Sequence, residues 1–535
     1  MLLSLVASAA TGIEIDGIFY HFNSTTKTAE VARWARGLKY TGDVVIPSTV
    51  TRNEVEYSVT SIEANAFANC SQLISVTIPN SVTTLGKNLF NGCTNLASIV
   101  VEEGNPVYDS RENCNALIET ASNKVIYGCS GSTIPDGITT IGNSAFLNCI
   151  GLTSIVIPNS VTTIENSAFE GCTGLTSFII PDAVTNIEGS ILSNCTGLSY
   201  LYIGKGITNL EEEAFTSCDN LKTVEINNNA IVLNKIAWFF NSSVKEYILG
   251  EDVTSIGDYA FYRCSMTSVK MSNNVTSIGD YAFEECTNLT SIVFSNNLVH
   301  IGKWAFAGCM ELPSVTIPQS VKCIDLIAFQ WCYKLTKVEV NSNEVVSRDG
   351  EQFYTLTSCF GKQVEEYVLG EDVKKIAYIA FSESDKLTSV TISSNLTCVD
   401  DSAFHKCTSL TDMYCYAEQV PETGKDIFVE SNYTNATLHV PAASVEAYKN
   451  AEQWKDFGNI VALTDEDPSG MQDIVIGDAN GDNEVNITDI TYIIDKINDK
   501  PATDFNEKAA DLNEDGEINI TDVTLLLDKI NGCDK

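Results

Sequence analysis

From about residue 59 to residue 415 the apolar positions of the chain repeat. The phrases VTSIEANAFANCSQL, VTTIENSAFEGCTGL and VTSIGDYAFEECTNL align on one column: Phe67, Phe90, Phe146, Phe169, Phe215, Phe261, Phe283, Phe306, Phe329, Phe381 and Phe404, with Leu192 substituting once. These twelve repeats mostly stand 23 residues apart and read roughly S-V-T-x-I-x-x-x-A-F-x-x-C-x-x-L-x-x-I-x-I-P. The L-x-x-I-x-I part alternates with period two, which predicts a strand with one buried face. Pro79, Pro158, Pro181 and Pro318 then end it, because proline has no N–H to donate to a ladder. A 23-residue coil cannot bury its own Phe, Leu and Ile. Neighbours must stack, each strand joining a parallel ladder at about 4.8 Å per coil, so the 535-residue chain grows as a one-dimensional solenoid.

Three segments break the 23-residue step, near 102–133, 227–250 and 341–370. The last two are related, ending VKEYILGEDV and VEEYVLGEDV, and are elaborated coils of the kind that map to one face of a solenoid. Residues 11–58 lack the repeat phrase but alternate strongly, which predicts a β-rich N-terminal cap. Residues 416–463 read as a C-terminal cap, with a short helix carrying Trp454 and Phe457. Both ends need covering, since an open terminal coil exposes its apolar core. A polar linker follows at 464–476, and a separate acidic module at 477–535.

Composition narrows the function. Thirty-two Lys and Arg stand against 70 Asp and Glu, a formal net charge of -38, which excludes partners held by phosphate neutralisation such as nucleic acid. Residues 1–10, MLLSLVASAA, read as a clipped export signal, and elsewhere no apolar run approaches the length of a membrane helix. Eleven of the 18 cysteines, Cys70, Cys93, Cys149, Cys172, Cys195, Cys218, Cys264, Cys286, Cys309, Cys332 and Cys407, fall at one phase of the repeat, with Ser384 in the twelfth coil. Side chains pointing the same way in every coil make poor disulfide geometry, so they read as small core residues. In CNALIETASNKVIYGC a hairpin turning between Ala121 and Ser122 sets Cys114 opposite Cys129, either as a disulfide or as two buried thiols. The four histidines, His21, His300, His405 and His439, are scattered, and no His-dependent triad, His-cluster zinc site or phosphate loop is apparent.

Period and pattern resemble leucine-rich repeats, and the A-F-x-x-C-x-x-L-x-x-[IV]-x-I-P-x-S-V form resembles their BspA-like branch over residues 59–415. Ser, as at Ser160, stands where the asparagine of the common phrase would sit, and the cysteine is elsewhere. The resemblance implies a parallel β ladder with short helical turns.

Near the C-terminus DANGDNEVNITD (478–489) and DLNEDGEINITD (511–522) repeat one twelve-residue phrase. Oxygen donors fall at positions 1, 3, 5, 9 and 12: Asp478, Asn480, Asp482, Asn486 and Asp489, then Asp511, Asn513, Asp515, Asn519 and Asp522. The backbone carbonyls of Glu484 and Glu517 occupy position 7. That is EF-hand spacing, in which a hard Ca²⁺ collects about 6–8 oxygens around a tight turn, so two ions are expected. Gly516 stands at the sharp-turn position, and Asn483 in the first copy tolerates the same left-handed backbone. One amphipathic helix follows each loop, through Ile487, Ile490, Ile493, Ile494 and Ile497 and through Ile520, Val523, Leu526, Leu527 and Ile530, and no helix pattern precedes either. Two loop–helix copies in about sixty residues resemble a type I dockerin domain over 477–535. The resemblance implies a cohesin domain of a scaffold protein as partner, contacted through loop positions 10 and 11, here Ile487 and Thr488 and again Ile520 and Thr521. The family's frequent basic pair at positions 18 and 19 is here Asp495-Lys496 and Asp528-Lys529.

For the solenoid, the residue two before the phenylalanine column is Tyr259, Tyr281 and Trp304 in three successive coils, then Ile327. Equal positions on stacked coils lie side by side, which makes a candidate ligand stripe for a sugar or a protein, or a filler of space between coils. Trp238-Phe239-Phe240 in the second insertion is a similar candidate. These signals favour an extracellular or cell-surface bacterial protein that binds a protein or carbohydrate and is not an enzyme. The alternatives are a free-standing adhesin with a structural dockerin-like tail, and a polysaccharide-degrading enzyme delivered by the dockerin, for which no catalytic pair stands out.

Overall fold

A computed structural model gives the fold. It describes every residue except 1–11, 35–38, 209, 234–235, 237–238, 241, 349–353, 465–466, 469–476, 478, 480–484, 486, 498–506, 514–515 and 531–535, and, within helices, the side chains of 487, 488, 495, 507, 508 and 528. Packing divides the chain into two compact units, Met1–Lys270 with Gly279–Leu289, and Met271–Ile278 with Thr290–Lys535.

In the first unit the predicted ladder forms. Ser177–Ile180, Tyr200–Ile203, Thr223–Ile226 and Glu246–Leu249 pair in parallel and in register. Each buries its second and fourth residues, as the alternating pattern requires. A second, two-residue ladder runs through Thr140–Ile141, Thr163–Ile164 and Asn186–Ile187. The N-terminal strands Ile13–Ile15, Ile18–Asn23 and Thr28–Val31 pair antiparallel, as do Thr49–Arg52 and Val55–Ile62, and cover the first coils. The insertion near 102–133 is a hairpin of Leu117–Glu119 and Lys124–Tyr127 with a bulge at Leu117/Ile118. Cys114 and Cys129 are buried at its base as free thiols.

The coil after that hairpin departs from expectation. Residues 154–157 repeat the strand phrase but form no strand, although Ile157 is buried and Val156 exposed. The stretch before it, 128–138, closes the hairpin without a strand, so no neighbouring ladder is available on that side.

In the second unit seven parallel strands run from Ser314–Ile317 through Lys337–Val340, Glu366–Leu369, Ser389–Ile392, Asp412–Cys415 and Thr437–Val440 to Asn459–Ala462. The cap helix spans Val445–Asn450, so Trp454 and Phe457 lie beyond it, in turns, where Trp454 packs edge-on to Tyr448 and Phe428. In the polar linker the Tyr416 hydroxyl donates to the Pro468 carbonyl at 2.7 Å.

Two columns of side chains hold the coils together. The phenylalanines stack face to face between neighbours, with centroids 4.9 Å apart for Phe146–Phe169, Phe261–Phe283, Phe306–Phe329 and Phe381–Phe404. The column also includes Phe240, Phe360 and Phe428, stacked on Phe215, Phe329 and Phe404. Beside it runs a thiol ladder. Cys93, Cys172, Cys195, Cys286, Cys332 and Cys407 each donate S–H to the carbonyl of the preceding coil's phenylalanine at 3.0–3.3 Å, and Cys218 does so to Leu192. Each such carbonyl already accepts the N–H of the residue three further on in its own coil, so the thiol is a second donor that reaches it from the next coil. Burial pushes the Cys93, Cys149 and Cys195 thiols up to about 12, which fits packing and not reactivity.

Candidate functional site

The C-terminal module is built on two helices, Ile487–Ile497 and Ile520–Ile530, packed through a core of Ala479, Ile490, Ile493, Ala510, Val523 and Leu526. A four-residue helix, Glu507–Ala510, stands directly before the second loop, where the sequence showed no helical pattern because so short a segment has no periodicity to read. Its Ala509 carbonyl accepts from Gly477 N–H at 2.7 Å, tying the two halves together.

In the second loop the turn is set by Gly516, whose φ of 79° is left-handed and whose N–H donates to Asp511 Oδ2 at 2.7 Å. Asp522 is fully buried: its Oδ1 accepts from Leu512 N–H at 2.9 Å and its Oδ2 from Asn519 N–H at 2.9 Å. Asn519 Oδ1 accepts from Thr521 N–H at 2.8 Å. The side chains of Asp511, Asn513, Asn519 and Asp522 and the Glu517 carbonyl are thus gathered on one tight loop, and all-oxygen donors are what Ca²⁺ takes. A carboxylate with no exposure is costly unless an ion or several N–H groups face it, and for buried Asp522 the N–H groups of Leu512, Asn513 and Asn519 meet that need. Of the first loop, Asp489 is described and is likewise fully buried. Asp478, Asn480, Asp482, Glu484 and Asn486, and Asp515 in the second loop, lie outside the described residues.

Half of each apolar helix stripe is left uncovered. Ile490, Ile493, Val523 and Leu526 are buried, whereas Ile494, Ile497, Leu527 and Ile530 are exposed and Ile520 reaches 68%. Thr521 is exposed beside it. The side chains of Ile487 and Thr488 lie outside the described residues.

On the solenoid, Tyr259 and Tyr281 are half-buried and stack with centroids 4.7 Å apart and planes 3° from parallel. Trp304, in the other unit, packs on Trp331 at 4.8 Å, and Trp331 is 46% exposed. Backbone geometry adds what the sequence concealed. Tyr259, Tyr281, Trp304 and Ile327 all have φ between 57° and 63°, as do Asn65, Asn88, Ser144 and Ser167 at the same place in other coils within a few degrees. Asn tolerates that left-handed conformation, while other side chains, bulky and β-branched ones above all, adopt it at a cost. A second left-handed column lies two residues after the phenylalanine, from Asn69 through Arg263 and Glu285 to Trp331, Glu383 and Lys406. Of the second-insertion candidates, Phe240 is a core member stacked on Phe215, Phe239 is half-buried, and Trp238 lies outside the described residues. A surface that the sequence reading missed is the solvent side of the strand phrase in the first unit, where Val45, Val100, Val156 and Ile179 are exposed. The alternation that marks their partners as core also marks them, because an apolar residue at an outward position is a mismatch.

These features define a leucine-rich-repeat solenoid joined to a small helical module with calcium-type loops. Residues 48–126, 119–245, 254–359 and 357–453 match the BspA type leucine rich repeat region, in six copies, and residues 476–531 match the dockerin type I domain. The chain belongs to the BspA type leucine rich repeat family and carries a dockerin domain of type I, a domain that binds calcium. Among solved structures it is similar to a leucine-rich repeat protein from Bacteroides ovatus, at 23% identity over 84% of this chain and all of that one, with a TM-score of 0.30. A leucine rich cell surface protein from Faecalibacterium prausnitzii is similar at 24% identity over 72% of this chain and 95% of that one, TM-score 0.30. The pneumococcal vaccine antigen PcpA is similar at 16% identity over 85% and 98%, TM-score 0.27. No curated protein matches the chain. Among the described residues no helix is long and apolar enough to cross a membrane.

Proposed function

We propose that this is an exported bacterial binding protein without a catalytic role, whose solenoid recognises a protein or carbohydrate and whose dockerin docks it to a cohesin-bearing scaffold or surface complex. The carrying observation is the uncovered half of the two C-terminal helices. Ile494, Ile497, Ile520, Leu527 and Ile530 are apolar and exposed on the two helices, the kind of clustered apolar surface that a partner covers. Ile520 and Thr521, with Ile487 and Thr488 in the first copy, are the partner contacts in this reading.

Two calcium ions hold the module, one bound by Asp478, Asn480, Asp482, the Glu484 carbonyl, Asn486 and Asp489, the other by Asp511, Asn513, Asp515, the Glu517 carbonyl, Asn519 and Asp522. The ion supplies a positive centre and nothing to catalysis; the side chains fix the loop so that each helix starts at a set angle. Tyr259 and Tyr281 in one unit, and Trp304 with its neighbour Trp331 in the other, serve ligand binding by the solenoid.

The test is capture by the full-length chain of secreted and surface proteins of its source organism, in calcium and in EDTA, with hydrolysis of plant polysaccharides assayed in parallel. A cohesin retained only in calcium, with no hydrolysis, is the expected result. A folded, calcium-loaded chain that retains no cohesin turns the reading toward a free-standing adhesin, and hydrolysis turns it toward an enzyme.

A further inference from the structure

The short ladder of the second unit pairs His300–Ile301 in parallel with Cys323–Ile324, so His300 and Cys323 stand side by side on adjacent coils. Asp325 is two residues beyond Cys323 and shares its face. His300 Nε2 lies 3.1 Å from Asp325 Oδ2, Cys323 Sγ lies 3.5 Å from Asp325 Oδ1, and the three ligand atoms all fall within 4.8 Å of one another. All three residues are half-buried, so a donor face remains open to water.

Arg348 donates from Nη1 to Cys323 Sγ at 3.0 Å and lies over the Tyr354 ring. Its guanidinium fixes the sulfur, and the thiolate and carboxylate together leave the cluster one negative charge to spare for a cation. A second coil pair of the same unit, beyond the 341–370 insertion, supplies an internal contrast. Lys375 pairs with Cys398, and Asp400 follows two residues later, in the same arrangement, but there Lys375 Nζ sits 2.7 Å from Asp400 Oδ2. An ammonium fills the place where His300 offers a nitrogen lone pair.

We infer that His300, Cys323 and Asp325 form a binding site for a borderline-soft divalent cation of the zinc class, with water as a fourth ligand. One imidazole, one thiolate and one carboxylate suit zinc, in the pattern of three protein ligands and an open position. Calcium, which takes oxygen donors only, is confined to the C-terminal loops. On binding, the Cys323 S–H bond breaks, its proton leaves to solvent and the sulfur lone pair enters the metal–sulfur bond. The site links adjacent coils and does not depend on the dockerin reading.

The experiment uses the full-length chain, saturated with calcium, dialysed against Zn²⁺ and analysed for bound metal, and separately titrated with Co²⁺ in the near ultraviolet. Wild type is expected to hold one zinc more than Cys323→Ser or His300→Ala, and to show a thiolate-to-cobalt band that both variants lack. Cys398→Ser is expected to keep both signals, and the circular dichroism of all variants to match wild type. Equal zinc content in wild type and folded Cys323→Ser overturns the inference, as does a cobalt band lost in Cys398→Ser and kept in Cys323→Ser.

Discussion

In most coils one stacked phenylalanine joins neighbour to neighbour. A stacked phenylalanine such as Phe169 touches Phe146 on one side and is fully buried, so Phe169→Ala is expected to destabilise by about 3–5 kcal/mol, read by denaturant unfolding. The thiols beside it make a pH prediction. Burial raises Cys195, Cys264 and Cys407 from 9.0 to about 12, so the folded state prefers the neutral thiol. A group whose folded pKa is raised stabilises fully below its unfolded value and loses that stabilisation as pH climbs through the folded one. The melting temperature is therefore expected to fall between about pH 9 and 12, and Cys195→Ala to flatten the fall; an unchanged slope in several such variants would contradict the assignment. At the left-handed positions the prediction runs the other way. Trp331→Asn relieves a bulky residue at φ 61° and is expected to change stability by no more than about 1 kcal/mol, while weakening capture of the solenoid's ligand. A large loss of stability with unchanged capture would make Trp331 a structural residue.

At the scale of elements, the sequence disclosed what repeats and hid what does not. The phenylalanine column, the strand phrase and both post-loop helices were legible because each carries its own period. Phe240, Phe360 and Phe428 were not, although they stack in the same column, since insertions or the cap replace the phrase around them. The strand expected at 154–157 is not formed, although Ser177–Ile180 one coil on is a strand, so the alternating pattern by itself does not fix pairing. The left-handed columns were hidden by Tyr259, Tyr281, Trp304 and Ile327, whose residue types argue against the backbone they adopt. His300 and Cys323 are 23 residues apart, one coil, so nearness along the chain does not pair them and only stacking does. In the C-terminal loops, buried Asp522 holds N–H groups from both ends of its loop, so Asp522→Ala is expected to abolish one of two calcium-binding events in calorimetry. Loss of both would show that the two loops fold as one unit.

At the scale of the molecule, the chain joins two kinds of stability. The coils rest on apolar stacking and thiol hydrogen bonds that owe nothing to calcium, whereas the C-terminal module has, among the described residues, a core cluster of only six and two buried carboxylates. Removing calcium should therefore act on the dockerin alone, and through it on docking. The most direct measurement is far-ultraviolet circular dichroism of the full-length chain during EDTA titration, with retention on the captured cohesin followed in the same samples. The account predicts that the helical signal and retention disappear together, while the β signal of the coils persists and both losses reverse on adding calcium. Helicity and retention that survive complete chelation would contradict it.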